Sequence, residues 1–350
     1  MKYFNLMNKI MNKKNKPVPI SFGDGCAVSD DIFCVTSVPD NLNYEIEFTR
    51  IFILNLSPKI EWTHHDIPNR TIISIVLRPK SDSLPRACYA LSDYGQLQIF
   101  NSTEIIEEEI PAMSSETNRD NGLTFSAIRY IGQKAYACGA IGRIYRRDDK
   151  GWVQIAAAIA DEASRNLELL TNMEDDINNI VELTEKAMTI PNFEYIAGLS
   201  DNEIYACGNN GIIIYWNGIS WNYLKSSTKE YLHYIHCVSA DQVYICGDNG
   251  TLLSGNATDG FCQIKLDRKD LNFWVVQNFK GIIYVGTTSG LFQLEGVKLI
   301  PVNFGLNKTF TNITIQALEA TESVLWAVTD KFLLRLENSI WKQILHPDNV

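Results

Sequence analysis

The chain contains no C-x-x-C pair, no G-x-S-x-G elbow, no H-E-x-x-H and no P-loop. These absences remove thioredoxin-type redox chemistry, paired-cysteine zinc sites, α/β-hydrolase and zinc-peptidase chemistry, and nucleotide hydrolysis of the P-loop kind. Histidine is scarce, with five in the chain: His64, His65, His233, His236 and His346. His64 and His65 are neighbours in a strand-like stretch, and His233 and His236 stand three apart in another. Odd spacings in a strand point to opposite faces, so neither pair can offer two ligands to one metal. No catalytic residue, metal ligand or cofactor is assigned from the sequence. Also missing is any apolar run near the roughly 18 residues that would span a bilayer. Residues 1–16 alternate Asn and Lys with apolar residues and show no continuous apolar core or small-residue cleavage site. They read as a flexible basic tail ahead of a folded region at 17–350, not as a secretory signal. Eight cysteines without paired spacing, and no export signal, point to a reducing compartment, the cytoplasm.

Repetition is what the sequence has in abundance. The phrase Glu203-Ile-Tyr-Ala-Cys-Gly-Asn-Asn-Gly-Ile-Ile-Ile-Tyr-Trp216 returns as Gln242-Val-Tyr-Ile-Cys-Gly-Asp-Asn-Gly-Thr-Leu-Leu253. A segment repeated at fixed spacing marks a unit that buries its apolar face by stacking on copies of itself. In the first copy, Ile204 to Gly208 and Ile212 to Trp216 flank Asn209-Asn210-Gly211, whose residues tolerate positive φ, and this predicts a hairpin. A turn at Asn217-Gly218 leads to a strand from Ser220 to Leu224, and Phe193 to Leu199 precedes the hairpin. One unit therefore holds four strands.

With Tyr205 as marker, an aromatic recurs in register at Phe33, Tyr89, Tyr136, Tyr244, Tyr284 and Trp326, and a glycine follows six later at Gly95, Gly142, Gly211, Gly250 and Gly290. The fourth strand opens on a bulky residue at Trp62, Trp152, Trp221, Phe261 and Trp341. Four-stranded units near forty residues match an all-β fold, a β-propeller of seven blades, with six as the alternative because Phe33 and Trp326 lack the glycine. Cys138, Cys207 and Cys246 share one register, two after the marker, and read as small core residues. The marker aromatics read as core packing too.

One interval breaks the period. Tyr136 and Tyr205 lie 69 residues apart, and the excess, 156–190, changes to helical spacing at Leu167, Leu170, Ile177, Ile180, Val181, Thr184 and Met188. Asn172 with Asp175 and Asp176 suits a helix start, which predicts two short helices in an insertion between blades. Helices this short need support, so the stripe must rest on the ring or on a partner. The insert is acidic: eight acidic residues, among them Asp161, Glu168, Asp175, Asp176, Glu182 and Glu185, face two basic ones, a net −6 within a chain of −10. A second acidic cluster comprises Glu104, Glu107 and Glu109 with their neighbours and Glu116.

In an up-and-down sheet the b-to-c turns and the d-to-a crossings emerge on one face. That places the acidic segments beside the turns at Tyr94, Asn209, Asn210, Asp248 and Asn249. Acidic loops commonly serve solubility. An acidic field gathered beside an apolar helical stripe also suits docking of a basic protein. It repels phosphate, which disfavours nucleic acid as a partner.

The phrases Ala135-Tyr-Ala-Cys-Gly-Ala-Ile-Gly-Arg-Ile144, Ile204-Tyr-Ala-Cys-Gly-Asn-Asn-Gly-Ile-Ile213 and Val243-Tyr-Ile-Cys-Gly-Asp-Asn-Gly-Thr-Leu252 resemble the bacterial propellers grouped with photosystem II assembly-factor and BNR-type repeats. The resemblance runs from about Thr71 onward. Of the sialidase Asp-box, only Ser92-Asp93-Tyr94-Gly95 shows a trace. The resemblance implies a binding scaffold; the assembly-factor type would be exported, which this start does not support. An acidic propeller with an inserted helical pair also resembles the immunity proteins that accompany bacterial secreted toxins. The expectation is a non-enzymatic, monomeric protein binder that takes a basic partner, most concretely a cognate toxin, and needs no membrane. A glycan- or small-ligand-binding propeller using Tyr94, Trp216 and Trp221, an assembly scaffold, and a hydrolase with its site in the central channel are the alternatives.

Overall fold

The computed structural model describes residues 17–82, 84–111, 123–171, 189–306 and 313–350. It holds seven four-stranded antiparallel sheets, each built from consecutive strands in the order a-b-c-d. The fourth blade is typical, with strands Phe193–Ser200, Glu203–Gly208, Ile213–Trp216 and Trp221–Tyr223. Blade 1 opens with Ile20–Ala27, and blade 7 ends with Ile340–Leu345. The copies without the turn glycine, around Phe33 and Trp326, are complete blades, so the ring has seven and not six.

Every inner strand packs against the inner strand of the next blade, the last against the first included. All seven markers lie on second strands and are almost fully buried. The reason is packing of sheet on sheet: a residue on the face of strand b can be covered only by the neighbouring blade, and an aromatic fills the wide gap there. Phe33 and Trp326 form that contact between blades 1 and 7, with ring centroids 4.9 Å apart. Cys138, Cys207 and Cys246 are fully buried among these layers, as their register predicts.

No strand is shared between the first and last blades. An apolar core shared by the two blades, with polar contacts added to it, closes the ring. Phe22 N–H donates to Asp330 O at 2.8 Å. Asn349 accepts from Ile20 N–H at 2.9 Å and donates to Ile20 O and Lys331 O at 3.1 and 2.8 Å. Lys331 Nζ reaches Asp40 at 2.6 Å and Ser21 Oγ at 2.9 Å.

The turn glycines have a mechanical role. Gly211 and Gly250 adopt φ of +68° and +70°, and their N–H groups donate to Glu230 O and Leu271 O, at the entry to the next blade, at 2.9 and 2.7 Å. A Cβ on Gly211 would stand 2.1 Å from Thr228 O, and one on Gly250 2.3 Å from Arg268 O. The recurring glycine is thus demanded twice over, by backbone conformation and by the closeness of the incoming chain.

The insertion begins as a helix, Ala157–Thr171. Ala160 and Ala163 are buried, and Ile141, Ala163 and Ile190 form a small cluster against which Leu123, Leu167 and Leu170 pack. Its apolar side therefore rests on the ring, over the turn of blade 3. The second expected helix, with Asp175, Asp176, Glu182 and Glu185, lies outside the described residues, as does Glu116. So does the basic tail.

Candidate functional site: the turn face and the axial channel

The b-to-c turns bond directly to the chain entering the next blade. Ala140 N–H donates to Thr124 O, Asn209 N–H to Asn192 O and Asp248 N–H to Tyr231 O, at 2.9, 3.2 and 2.9 Å. In blade 2 the turn residue Asp93 accepts from Phe125 N–H at 2.8 Å. The turns and the crossings therefore share one face. The helix joins them there, because a Cβ on turn residue Gly142 would meet Ile159 at 2.7 Å and Pro191 at 3.1 Å.

On this face the expected site residues divide by role. Asn209 is structural: its side chain accepts from Asn192 N–H at 2.8 Å and donates to Ile190 O at 3.0 Å. Asp248 holds His233 Nε2 at 2.8 Å, and Asn249 donates to Glu230 at 2.7 Å while its φ is +52°. Asn210, with φ of +53°, is exposed at its turn tip. Tyr94 is half-buried beside Asp93. Asp161 and Glu168, with Glu162, lie on the exposed side of the helix. Among the described residues, Asp161, Glu162 and Glu168 form no ion pair. They leave a negative helix surface broken by Arg165.

The Glu104 cluster is arranged differently. Glu107, Glu108 and Glu109 belong to strand d of blade 2, Ile105–Glu109, which Glu104 immediately precedes and which climbs from the c-to-d turn to the turn face. Ile110, just beyond Glu109, donates to turn residue Gly95. Glu104 hydrogen-bonds Asn101 at the other end of the strand. A strand rises about 3.3 Å per residue, so Glu104 lies some 16 Å below Glu109. Between them Glu107 pairs with Arg70 at 2.5 Å and accepts from Gln98 at 2.7 Å, while Glu108 makes a two-pronged pair with Arg147 of the next blade at 2.6 and 2.8 Å. Alternation along the strand spreads these carboxylates across two faces, and basic partners occupy the middle of the run.

Sequence reading did not find the channel. Each inner strand sends polar or aromatic side chains to the ring axis: Asp24, Ser74, Arg129, Tyr195, Tyr234, Trp274 and Glu319, in blade order. They surround a cavity of about 330 Å³. Arg129 is its hub. Nε donates to Tyr195 Oη at 2.5 Å, Nη1 donates to Ser74 Oγ at 2.7 Å and to Ile128 O at 2.6 Å, and Asp24 lies 3.9 Å away. The guanidinium sits 4.3 Å from the centre of the Tyr195 ring, which is itself 4.0 Å from that of Tyr234. A bulge at residues 23–24 interrupts the pairing of the first two strands and brings Asp24 onto Ile75 N–H at 2.9 Å.

Burial works against the Arg129 charge, but Tyr195 and Asp24 outweigh it and hold the group ionised above its ordinary range. Burial pushes the Glu319 carboxyl up to about 8, a rise that nearby Arg129 only partly offsets. The Glu319 carboxyl is thus held largely protonated at pH 7, and Glu194 of the fourth blade also lines the cavity. His233, at the wall, packs against Trp274 with centroids 4.4 Å apart and the ring planes tilted. His236 lies on the same strand with burial holding it down to about 4. His65 bonds Gln98 of the next blade at 2.9 Å while His64 faces Phe52, so the adjacent pair diverges as expected. No serine, threonine or cysteine hydrogen-bonds a histidine among the described residues. The signal that could have revealed the channel is a lone charge inside an otherwise uncharged inner strand, as in Phe125–Ile131 and Ile315–Ala320.

Immune protein Tsi7 of Pseudomonas aeruginosa is 28% identical to this chain over 251 residues, which cover 71% of the chain and 73% of the relative. The chain is similar to a bacterial immune protein. No family model matches it. Among solved structures, YCF48 bound to D1 peptide superposes with a TM-score of 0.59 at 9% identity over 95% of both chains. YCF48 from Cyanidioschyzon merolae gives 0.59 at 10% identity, over 96% of this chain and 98% of that one. The propeller domain of Doa1 gives 0.58 at 8% identity, over 95% and 96%. At these identities the structural likeness speaks for the fold alone, which is that of the assembly-factor propellers named from the repeat phrases. The similarity to Tsi7 covers most of the ring, so it is not a likeness of one blade.

Proposed function

We propose that this chain is a non-enzymatic immunity protein of the cytoplasm that binds and neutralises a cognate bacterial toxin. The observation that carries the reading is the similarity to Tsi7 across 251 residues. The propeller fold suits protein binding, since a rigid ring presents many loops on one face. The partner is held on the turn face, with the helix Ala157–Thr171 as one wall. Asp161, Glu162 and Glu168 supply a field that favours a basic surface.

Two experiments test this. In the first, the product of the gene beside this chain's own is produced with and without the chain; growth arrest by that product alone, relieved by the chain in a 1:1 complex, supports the reading, and a product that is harmless alone or that arrests growth regardless refutes it. In the second, association rates are measured for D161K/E162K/E168K. An on-rate about tenfold slower at low salt, with a flatter salt dependence, is expected. An unchanged rate removes the acidic helix from the interface.

A further inference from the structure

We propose that Cys26, Cys34 and Cys88 form a buried three-sulfur site for a soft monovalent metal ion, cuprous copper. The three residues come from blades 1 and 2, and all are buried. Cys88 Sγ lies 3.8 Å from Cys26 Sγ and 3.7 Å from Cys34 Sγ, and all three sulfurs fall within 4.8 Å of one another. The point equidistant from such a triangle lies about 2.2–2.4 Å from each sulfur, the range of metal–thiolate bonds. A metal can enter without rearranging the ligands.

The repeat itself shows that these cysteines are not required as filling. Cys26 pairs with Cys34 across the first two strands of blade 1. The corresponding pairs in the other six blades are Ile75 with Ala90, Ile128 with Ala137, Ile196 with Ala206, Ile235 with Ile245, Val276 with Val285 and Leu318 with Ala327. Branched aliphatics occupy the inner strand everywhere except where a third cysteine faces the pair. Cys138, Cys207 and Cys246, by contrast, occupy one repeated register, two after the marker. Two of the three clustered sulfurs belong to one blade and the third reaches them from its neighbour.

The donor set chooses the metal. Three thiolates are soft ligands, which select cuprous copper, zinc or iron–sulfur clusters. Structural zinc takes four ligands, and among the described residues no histidine or carboxylate joins the three sulfurs. A three-coordinate, closed-shell ion fits that set. Entry is short, because Cys26 stands one residue from the end of its strand and Cys34 two from the start of the next. The turn between them is covered by exposed Arg86, whose Nη1 donates to Val28 O at 2.9 Å. Its positive charge also offsets the excess negative charge of a trithiolate.

The test uses the full chain, reduced, metal-free and kept anaerobic, titrated with cuprous acetonitrile against a coloured cuprous chelator. One copper per chain should be withdrawn from the chelator, and X-ray absorption should show three sulfurs at about 2.2–2.3 Å. C88S should weaken binding by about 100-fold or more, since loss of a direct ligand exceeds the effect of losing a supporting group. C262S, which alters an exposed cysteine outside the cluster, should bind as the parent does. If C88S fails to fold, the absorption spectrum of the unaltered chain still decides. Absence of copper uptake, fewer than three sulfur neighbours, retention in C26S/C34S/C88S, or a Cys26–Cys34 disulfide forming in its place would overturn the proposal.

Discussion

Replacing Gly211 by alanine should destabilise the ring far more than the same change at Gly296. Both glycines have positive φ, +68° and +60°, so both variants place a Cβ in the left-handed region at about 1–2 kcal/mol. Their surroundings differ. Nothing lies within 4 Å of a Cβ on Gly296, whereas on Gly211 it would stand 2.1 Å from Thr228 O. Relief requires the turn or the incoming strand to retreat by about 1 Å, which is incompatible with the 2.9 Å bond from Gly211 N–H to Glu230 O. Leaving those groups unpaired adds about 1–3 kcal/mol. G211A should therefore lose about 3 kcal/mol or more and G296A about 1–2 kcal/mol. Urea unfolding followed by tryptophan fluorescence measures both. Equal shifts in the two variants would refute the claim that these glycines lock successive blades together.

Three further outcomes follow from the geometry. N349A removes the groups that bond Ile20 N–H, Ile20 O and Lys331 O, so it should lower stability by about 2–3 kcal/mol and expose the first strand to limited proteolysis. For Glu319, the folded-state value near 8 lies above the unfolded one, so the folded chain holds the extra proton between about pH 4.3 and 8. The stability this contributes is full below that window and is lost as pH rises through it. E319Q should flatten the dependence and be more stable than the parent at pH 9 by about 2–4 kcal/mol, the lower end reflecting the water-facing part of the side chain. R147A should cost less, about 1 kcal/mol, because its pair with Glu108 is partly exposed.

How far the sequence carried these conclusions depends on the length scale of each signal. Blade number and strand order were legible because the marker aromatic and the turn glycine answer local demands repeated at fixed spacing. The shared face of turns and crossings was legible for the same reason, being a property of up-and-down connectivity. Glu104 and Glu109 were not separable in the sequence, since a run of acids shows neither its strand direction nor its partners. Arg70 and Arg147, which neutralise the middle of that run, are distant in the chain. The channel was hidden for a related reason: seven strands each contribute about one side chain, and only ring closure brings Asp24 to Arg129 and Glu319. The three-cysteine cluster joins residues up to 62 apart across two blades, where no short motif could announce it.

The most direct test of the functional account is hydrogen exchange of this chain alone and mixed with the product of its neighbouring gene. Protection confined to the helix Ala157–Thr171 and the turns around Tyr94, Asn210 and Asn249 is the predicted result. Complex formation with protection on the opposite face, around Asn101 and Glu104, or no complex at all, would contradict the account.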